Sequence, residues 1–450
     1  MKREKNKDSI TRIVLNMSVP AILESFFTSF AGLIDSYMVS SLGASSVAAV
    51  GLTTQPKFCA LAIFLAISIA LSALVARRLG QNERDKANGI FLTAIITVLV
   101  LVVLISVVGI VYASPILKLC GTTPDTHDDA VLYFTIIMSG LVFNCIQICI
   151  NSAQRGAGNT KITMRTNVTS NIVNIIFNYI LINGKFGFPK LGIRGAAIAT
   201  VLGTIVAAVM SVASVMGKDV FVSLTYIFKN KIKPKFEYLK NIAKVGYGIF
   251  FEQLLLRVGF MATAIMAAKQ GTYAMAAHQV CMNLCGLSFS FGDGLQAAAV
   301  ALIGRSLGQN NPDLAKQYGK KCQHVGGIIS IAVSVLYFFG AKLLMGAFFE
   351  ENQIVEIGIY LMYFVLVTIL FQIRQVIYMG CLRGAGDTLY TAVVSAISVT
   401  FVRTVSSYVF CYGLKMGIYG IWLGILTDQM IRFICATIRF KLGKWVTLKI

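Results

Sequence analysis

The chain is poor in charged residues. Only 13% of its 450 residues are charged and 56% are hydrophobic, whereas a soluble domain is about 25% charged. This composition excludes an ordinary soluble protein and predicts a polytopic membrane protein. Acids are scarcer than bases, 19 against 40. In a soluble chain that excess would suggest a nucleic-acid partner. In a membrane chain it indicates basic cytoplasmic loops, so we expect no nucleic acid.

Signatures of catalysis and of bound metals are also missing. The ten cysteines form no CxxC pair and most lie in apolar runs, so we interpret them as small buried residues and expect no resident metal. The sequence has no Walker loop, no HExxH, no GxSxG and no segment outside the membrane large enough for an ATPase. We therefore expect neither an enzyme nor a cofactor. Transport, if it occurs, would use an ion gradient or the substrate's own gradient.

Twelve apolar runs approach or exceed the about 20 residues that a helix needs to cross a bilayer. They lie at 13–40, 52–76, 89–112, 130–153, 162–182, 193–216, 243–268, 274–304, 322–344, 355–382, 389–413 and 417–440. Of the 40 Lys and Arg residues, 28 fall in alternate loops starting with the N-terminus, seven in the other loops and five within spans. The sequence thus predicts an all-α protein with twelve transmembrane helices and both termini in the cytoplasm.

The sequence also repeats itself. Two motifs recur at an offset of 228 residues and a third at 225. The pairs are LGQN at 79–82 and 307–310, RGAGNT at 155–160 and RGAGDT at 383–388, and GIRG at 192–195 and GIYG at 417–420. We predict two six-helix lobes, 1–217 and 243–450, joined by a lysine-rich cytoplasmic linker at 218–242. Six spans per lobe imply a pseudo-two-fold axis along the membrane normal. We interpret the RGAG glycines as helix ends.

Two carboxylates, Glu24 and Asp35, lie within the first span. Eleven residues make about three helical turns, so both acids share one face, with Phe27 between them. A charge that faces lipid costs at least about 2.5–3.5 kcal/mol. We therefore expect this face to line a cavity or to contact other helices. The repeat places Glu252 at the position equivalent to Glu24.

Span five carries a row of amides at helical spacing, Asn167, Asn171, Asn174 and Asn178. Such a row either binds neighbouring helices or lines a wetted cavity, and four amides on one face favour the cavity. Further polar candidates for a substrate cavity are Gln55, Asn144, Gln147, Asn283, Gln372 and Gln375.

The charges inside the spans suggest where a cation would bind. The acids are Glu24, Asp35, Glu252, Asp293 and Asp428, and the bases are Lys57, Arg257, Arg374, Arg403 and Arg432. Because the first half has two acids against one base, we expect a cation site around Asp35, with Glu252, which lacks a nearby base, as the main acid across the cleft. Asp428 and Arg432, four residues apart, should pair with each other. Asp293 has no obvious partner and is a candidate proton carrier.

Over almost its whole length the chain resembles the multidrug and toxic compound extrusion (MATE) transporters. The resemblance rests on the double six-span repeat, LIDSYMV at 33–39 with Asp35, LGQN at 79–82, Asn174 with NYILI at 178–182, GKFGFPKLGIRGAAIAT at 184–200 and LRG at 382–384. It implies export of amphiphilic, often cationic compounds in exchange for H⁺ or Na⁺ by alternating access. We expect ion coupling at Asp35, where Asn174 and Asn178 could complete an oxygen shell for Na⁺.

The chain departs from the family pattern at two positions. One branch has its key acids on spans seven and ten, but here Glu252 is accompanied by Gln372. Another branch pairs the first-span aspartate with a span-five aspartate, but here that position is Asn178. The choice between H⁺ and Na⁺ and the identity of the second carboxylate therefore stay open. Two alternatives are a lipid-linked oligosaccharide flippase of the same superfamily and a membrane receptor or scaffold that transports nothing. We expect a monomer in the bacterial cytoplasmic membrane.

Overall fold

Every secondary-structure element in the described residues is helical. The computed structural model describes residues 2–40, 42, 44–120, 122, 124–217, 220–349 and 351–448. The helices of the first half are α1 Lys2–Ser40, α2 Ala44–Gly80, α3 Arg84–Val111, α4 Ala113–Leu119, α5 Pro124–Ser139, α6 Leu141–Gly156, α7 Thr160–Asn183, α8 Ile193–Val215 and α9 Leu224–Lys229. Those of the second half are α10 Phe236–Ala268, α11 Thr272–Gly308, α12 Pro312–Phe348, α13 Asn352–Ala385, α14 Thr388–Ile397, α15 Arg403–Tyr408 and α16 Ile418–Leu442.

The chain packs as two units. The N-unit comprises Phe26–Gly246, and the C-unit comprises Met1–Ser25 together with Tyr247–Ile450. Helix α1 therefore contributes its first part to the C-unit and its last part to the N-unit. The lobe boundaries expected from the sequence, with the whole of α1 in the first lobe, stay a prediction.

Ten helices of the described chain are long and apolar enough to cross a membrane, and α5 with α6 makes an eleventh if the bent pair is one span. Helix α7 has 24 residues, or about 36 Å, which is also sufficient in length. Its amide row lowers its hydropathy, which explains why composition alone does not mark it as a span. The described chain thus contains ten or eleven candidate spans, and the assignment of α7 as a further span stays a prediction.

Two of the predicted spans are irregular. The fourth, predicted as an apolar run at 130–153, bends by 46° where α5 gives way to α6. Gly140 lies at this break, and a Cβ there would come within 2.5 Å of a Val201 methyl on α8, so the missing side chain permits close packing at the bend. The eleventh predicted span, at 389–413, contains two π-helical segments, Ser398–Val402 and Val409–Gly413, on either side of α15.

The internal repeat is visible in the backbone. Left-handed residues occur at equivalent places in both halves. The pairs are Asn82 (φ 58°) and Asn310 (φ 54°), Gly158 (φ 87°) and Gly386 (φ 92°), and Gly192 (φ 55°) and Gly417 (φ 58°). Gly158 and Gly386 follow the last residues of α6 and α13. The interpretation of the RGAG glycines as helix ends is therefore confirmed.

The repeat also extends to helix packing. A Cβ on Gly156 would lie 2.5 Å from the carbonyl oxygen of Ser72, and a Cβ on Gly384 would lie 2.5 Å from that of Val300. Both contact pairs are 228 residues apart. In each half, a glycine at the end of the fourth span allows that span to approach the second one closely.

The segment predicted as a linker packs against α3. Its first residues, Lys218 and Asp219, lie outside the described residues, and the remainder contains α9 and the first turns of α10. Arg84 donates to the carbonyl oxygens of Val220 and Phe221 at 2.7 and 3.2 Å. The Tyr226 hydroxyl, on α9, donates to Asp85 at 2.8 Å. These contacts fix the segment to the start of α3.

Candidate functional site

In the N-unit, Asp35 accepts hydrogen bonds from two asparagines of α7. Asn178 Nδ2 donates to Asp35 Oδ1 at 2.7 Å. When the Asn174 amide is oriented to satisfy all its neighbours, its nitrogen donates to the two Asp35 oxygens at 2.7 and 3.0 Å. Asn174 and Asn178 are one turn apart, so they present both amides to the same carboxylate. The structure thus brings together the three residues that the sequence suggested for ion coupling.

Close packing of α7 against α8 supports this arrangement. A Cβ on Gly203 would lie 2.9 Å from the Ser170 carbonyl oxygen and 3.1 Å from the Asn174 Cβ. The glycine lets α8 approach, and Ser170 Oγ donates to the Gly203 carbonyl at 2.8 Å. Thr200, on α8, then donates to the Asn174 amide oxygen at 3.3 Å in the orientation given above. Asn174 is thereby fixed from the side away from Asp35.

Two further side chains approach this cluster, and the sequence did not assign either to it. Lys57, on α2, interacts electrostatically with Asp35. Tyr133, on α5, interacts with Thr200 and also lies within the electrostatic range of Asp35. The sequence identified Lys57 as the one base within the first-half spans, but not its proximity to Asp35, which depends on the packing of α2 against the rest of the unit. Asp35 therefore lies among donors and one cation.

One acceptor in this cluster is unsatisfied. Within the described part of the chain, Asn178 Oδ1 has no hydrogen-bond partner, although Asn178 is only 1% exposed. A buried carbonyl oxygen without a donor is costly. If the Asn178 amide rotates, a proton on Asp35 would provide an O–H donor for this oxygen, and a hard cation at Asp35 would take it as a ligand.

The rest of the amide row on α7 makes contacts between helices. Asn171 donates to Thr28 Oγ1 on α1 at 3.3 Å, and Asn167 accepts a hydrogen bond from Gln147 on α6. These contacts support the first interpretation of the row, hydrogen bonding between helices. A wetted cavity wall along this row stays a prediction.

Four of the other predicted cavity residues are at least partly exposed to solvent. Phe27 is 42% exposed, Gln55 and Asn283 are exposed, and Asn144 is half-buried. Three others are buried, namely Glu24, Gln372 and Gln375. Gln372 accepts from the Cys285 thiol at 3.7 Å.

The expectation that Glu252 lacks a nearby base is wrong. Arg383 Nη2 lies 2.7 and 2.8 Å from the two carboxylate oxygens of Glu252. Glu252 is 3% exposed and Arg383 7%, so this is a buried ion pair. The two residues lie on α10 and α13, 131 positions apart, and Arg383 belongs to the RGAG motif, which we had interpreted only as a helix end.

The expectation that Asp293 has no partner is also wrong. Ser25 Oγ donates to Asp293 Oδ2 at 3.4 Å, and Gln296 Nε2 donates to Asp293 Oδ1 at 3.2 Å. Gln296 in turn accepts from Arg383 Nη1 at 3.3 Å. A Cβ on Gly380 would lie 2.7 Å from the Gln296 side chain, so close contact of α11 with α13 helps to place this glutamine. Asp293 and Glu252 thus belong to one hydrogen-bonded network.

The predicted pair of Asp428 with Arg432 is confirmed and proves to be part of a larger cluster. Arg432 Nη2 and Nε donate to the Asp428 carboxylate at 2.8 and 3.0 Å. Arg403, on α15, donates to the same carboxylate from Nη2 and Nε at 2.6 and 3.1 Å. Two guanidinium groups therefore share one carboxylate in the C-unit.

Comparison with known proteins shows similarity over nearly the whole chain. A protein of Thermotoga maritima named "Probable multidrug resistance protein NorM" is 26% identical over 442 residues, which cover 97% of this chain and 93% of that protein. An outward-facing multidrug resistance MATE family transporter of the MOP superfamily superimposes with a TM-score of 0.90 at 21% identity, covering 97% of both chains.

A MOP superfamily transporter from Pyrococcus furiosus, whose structure was described as having a binding pocket of reverse polarity, gives a TM-score of 0.90 at 21% identity. The superposition covers 98% of this chain and 97% of the Pyrococcus furiosus chain. The chain therefore has the MATE fold.

The family model named MatE matches the chain twice, at residues 20–180 and 249–409. The two matches correspond to the two halves of the internal repeat and together cover more than half of the sequence. Resemblance, fold and family model agree, and the chain belongs to the MatE family of multi-pass membrane transporters, which are not enzymes.

Proposed function

We propose that this transporter is a secondary active antiporter that exports amphiphilic, mainly cationic drugs or metabolites in exchange for H⁺ or Na⁺. The observation that carries the proposal is the Asp35 cluster, in which the Asn178 amide donates to the carboxylate through Nδ2 and keeps an unsatisfied Oδ1. The names of the relatives, which describe multidrug resistance proteins, support drugs as the substrate class.

Proton binding would change the hydrogen bonding of this cluster. Ionised Asp35 accepts from the amide nitrogens of Asn174 and Asn178. Protonated Asp35 carries an O–H donor that needs an acceptor, and rotation of the Asn178 amide would bring its free oxygen to that position. A proton would thus both neutralise the charge and reorganise the contacts between α1 and α7.

Sodium would use the same atoms in another way. The Asp35 oxygens and Asn178 Oδ1 are the hard oxygen ligands that such a cation prefers. In either case, an ion that favours one arrangement of α1 against α7 and a drug that favours another would drive exchange by alternating access. Phe27, Gln55 and Asn144, which present part of their surface, are the candidates for drug contact in the N-unit.

The two alternative functions have less support. A lipid-linked oligosaccharide flippase could hold the pyrophosphate of its substrate with the four bases within the second-half spans. Arg403 and Arg432 instead share Asp428, and Arg374 lies over the Phe433 ring at 4.9 Å. A receptor or scaffold without transport activity does not fit a chain that belongs to a transporter family.

Transport by purified protein in liposomes tests the proposal. A fluorescent organic cation is loaded, and an inward H⁺ gradient and an inward Na⁺ gradient are imposed separately, each with the membrane potential clamped. We expect one gradient to drive efflux and the other to have little effect. If neither gradient drives efflux of any of several cationic amphiphiles, the antiporter proposal is wrong.

A further inference from the structure

The cluster formed by Asp428, Arg403 and Arg432 carries an unbalanced positive charge. Both guanidinium groups remain protonated in proteins, and they share a single carboxylate. Asp428 is 0% exposed and Arg403 2%. Asp428 and Arg432 are the two charged side chains among the groups that act on Arg403. A net charge of one unit therefore stays in the interior of the C-unit, where an uncompensated charge is unfavourable.

Arg403 also has an unused donor. In the part of the chain that the structure describes, Arg403 Nη1 has no hydrogen-bond partner, while its Nε and Nη2 are both bound to Asp428. The centroid of the Phe260 ring lies 4.7 Å from the guanidinium carbon, so the ring covers one face of the guanidinium. It does not accept a hydrogen bond from the N–H groups, which lie in the guanidinium plane. The free N–H groups therefore point to an acceptor that the described residues do not supply.

The backbone around Arg403 is unusual as well. Helix α15 lies between the two π-helical segments, Ser398–Val402 and Val409–Gly413. Short π-helical segments within α-helices are rare and occur often at functional sites. Ser398, in the first segment, donates through its hydroxyl to the Asp428 carbonyl oxygen at 3.3 Å, which connects this irregular backbone to the charged cluster.

We propose that Arg403, with Arg432 and Asp428, forms a binding site for one small monovalent anion, either a halide or a small carboxylate. A single anion at Arg403 Nη1 would complete the hydrogen bonding of the guanidinium and neutralise the cluster. One unit of excess charge and one free nitrogen suit a monovalent anion and not a pyrophosphate. The site is separate from the Asp35 cluster and does not depend on the proposed antiport.

Chloride is the first probe. Purified protein in detergent is dialysed into sodium gluconate and titrated with sodium chloride at constant sodium and ionic strength. Binding is measured with radioactive chloride, and stability by thermal unfolding. We expect saturable binding of one chloride per chain and a rise of the unfolding midpoint by about 2–4 °C. Sodium acetate replaces chloride in a parallel series, and a response to acetate alone would identify a carboxylate as the ligand.

Two variants locate the site. Arg403→Gln removes the excess charge and should abolish both chloride binding and the rise in midpoint. Arg439→Gln is the matched control, since Arg439 pairs one-to-one with Asp387 at 2.7 Å and its loss should leave the chloride response unchanged. Arg403→Lys keeps the charge but loses the guanidinium, and we expect binding at least tenfold weaker.

The wild-type measurement decides the matter even if Arg403→Gln does not fold. The site does not exist if wild-type protein binds neither chloride nor acetate and its unfolding midpoint is the same in gluconate, chloride and acetate. In that case, the contacts with Phe260 and Asp428 are enough to stabilise the Arg403 guanidinium. Chloride binding that persists in a folded Arg403→Gln or is undiminished in Arg403→Lys would place the anion elsewhere and overturn the proposal.

Discussion

Arg383 donates from a single nitrogen to both carboxylate oxygens of Glu252, at 2.7 and 2.8 Å, and its other terminal nitrogen donates to Gln296, which in turn donates to Asp293. The arginine thereby joins two acids that the sequence suggested as independent cavity residues. The charge of Glu252 is balanced by Arg383 within the C-unit and is not free to attract a cationic drug. This changes what a substitution at Glu252 is expected to do.

We predict that Glu252→Gln destabilises the protein and does not alter its selectivity. The variant leaves the buried Arg383 without a counter-charge, and removing one partner of a buried ion pair costs about 3–5 kcal/mol. The thermal unfolding midpoint in detergent should fall, and the remaining transport of cationic and neutral substrates should fall equally. The double variant Glu252→Gln with Arg383→Gln should recover part of the loss. A selective loss of cation transport at unchanged stability would instead restore Glu252 as a substrate residue.

The sequence revealed contacts that depend on one helix and missed those that depend on packing between helices. Asp428 and Arg432 are four residues apart on α16, and helical spacing predicts that pair directly. Arg403 is 25 residues from Asp428 on another helix, and no local pattern indicates that it shares the carboxylate. Likewise, the RGAG motif predicted the end of α13 but not the long-range contact of Arg383 with Glu252.

The Asp35 cluster was more accessible to prediction. Asn174 and Asn178 share a face of α7, and the family resemblance associated them with Asp35. The approach of Lys57 and Thr200 was not predictable in the same way, because it depends on the packing of α2 and on glycines such as Gly203 that let α8 approach α7. The sequence thus suggested the ion-binding candidates, and the structure added the groups that set their electrostatics.

Removal of the charge at Lys57 should strengthen binding of the coupling cation. The Lys57 ammonium interacts with Asp35 and therefore competes with H⁺ or Na⁺ for the carboxylate. In Lys57→Gln we expect half-maximal gradient-driven efflux at an about tenfold lower concentration of the coupling cation, equivalent to about 1.4 kcal/mol. Lys57→Arg keeps the charge and is the control. An unchanged ion dependence in Lys57→Gln would show that the lysine does not act on the coupling step.

The loop charges predict that both termini lie in the cytoplasm. Cysteines introduced at Asp128 and Lys233, both exposed positions, should differ in labelling by an impermeant thiol reagent added to intact cells. The Asp128 position should react from outside, and the Lys233 position only after the cells are opened. The parent protein should carry Cys59→Ser, Cys120→Ser and Cys435→Ser, because the first of these native cysteines is exposed and the other two are half-buried. The reverse labelling pattern would invert the topology.

The last prediction separates the coupling residue from its supports. Asp35→Asn removes the ionisable group but keeps the size and one oxygen of the side chain, so we expect the protein to fold and insert, and gradient-driven efflux to be lost. Asn178→Ala removes the 2.7 Å donor and the free amide oxygen, while Asn174 still binds Asp35. We expect it to weaken coupling about tenfold without abolishing it, since a hydrogen bond to a charged group contributes about 1.5–3 kcal/mol.

Asn171→Ala is the matched control for Asn178→Ala. It removes an amide from the same row of α7, but one that bonds to Thr28 instead of Asp35. Its ion dependence should equal that of the wild type, even if its amount in the membrane is lower. All variants are compared in liposomes at equal protein density, with efflux driven by the gradient that is effective for the wild type. If Asp35→Asn still extrudes drug against a concentration gradient at the normal rate, the coupling carboxylate is not Asp35. The network of Glu252 with Asp293 then becomes the place to search, because it holds the remaining acids on α10 and α11 of the C-unit.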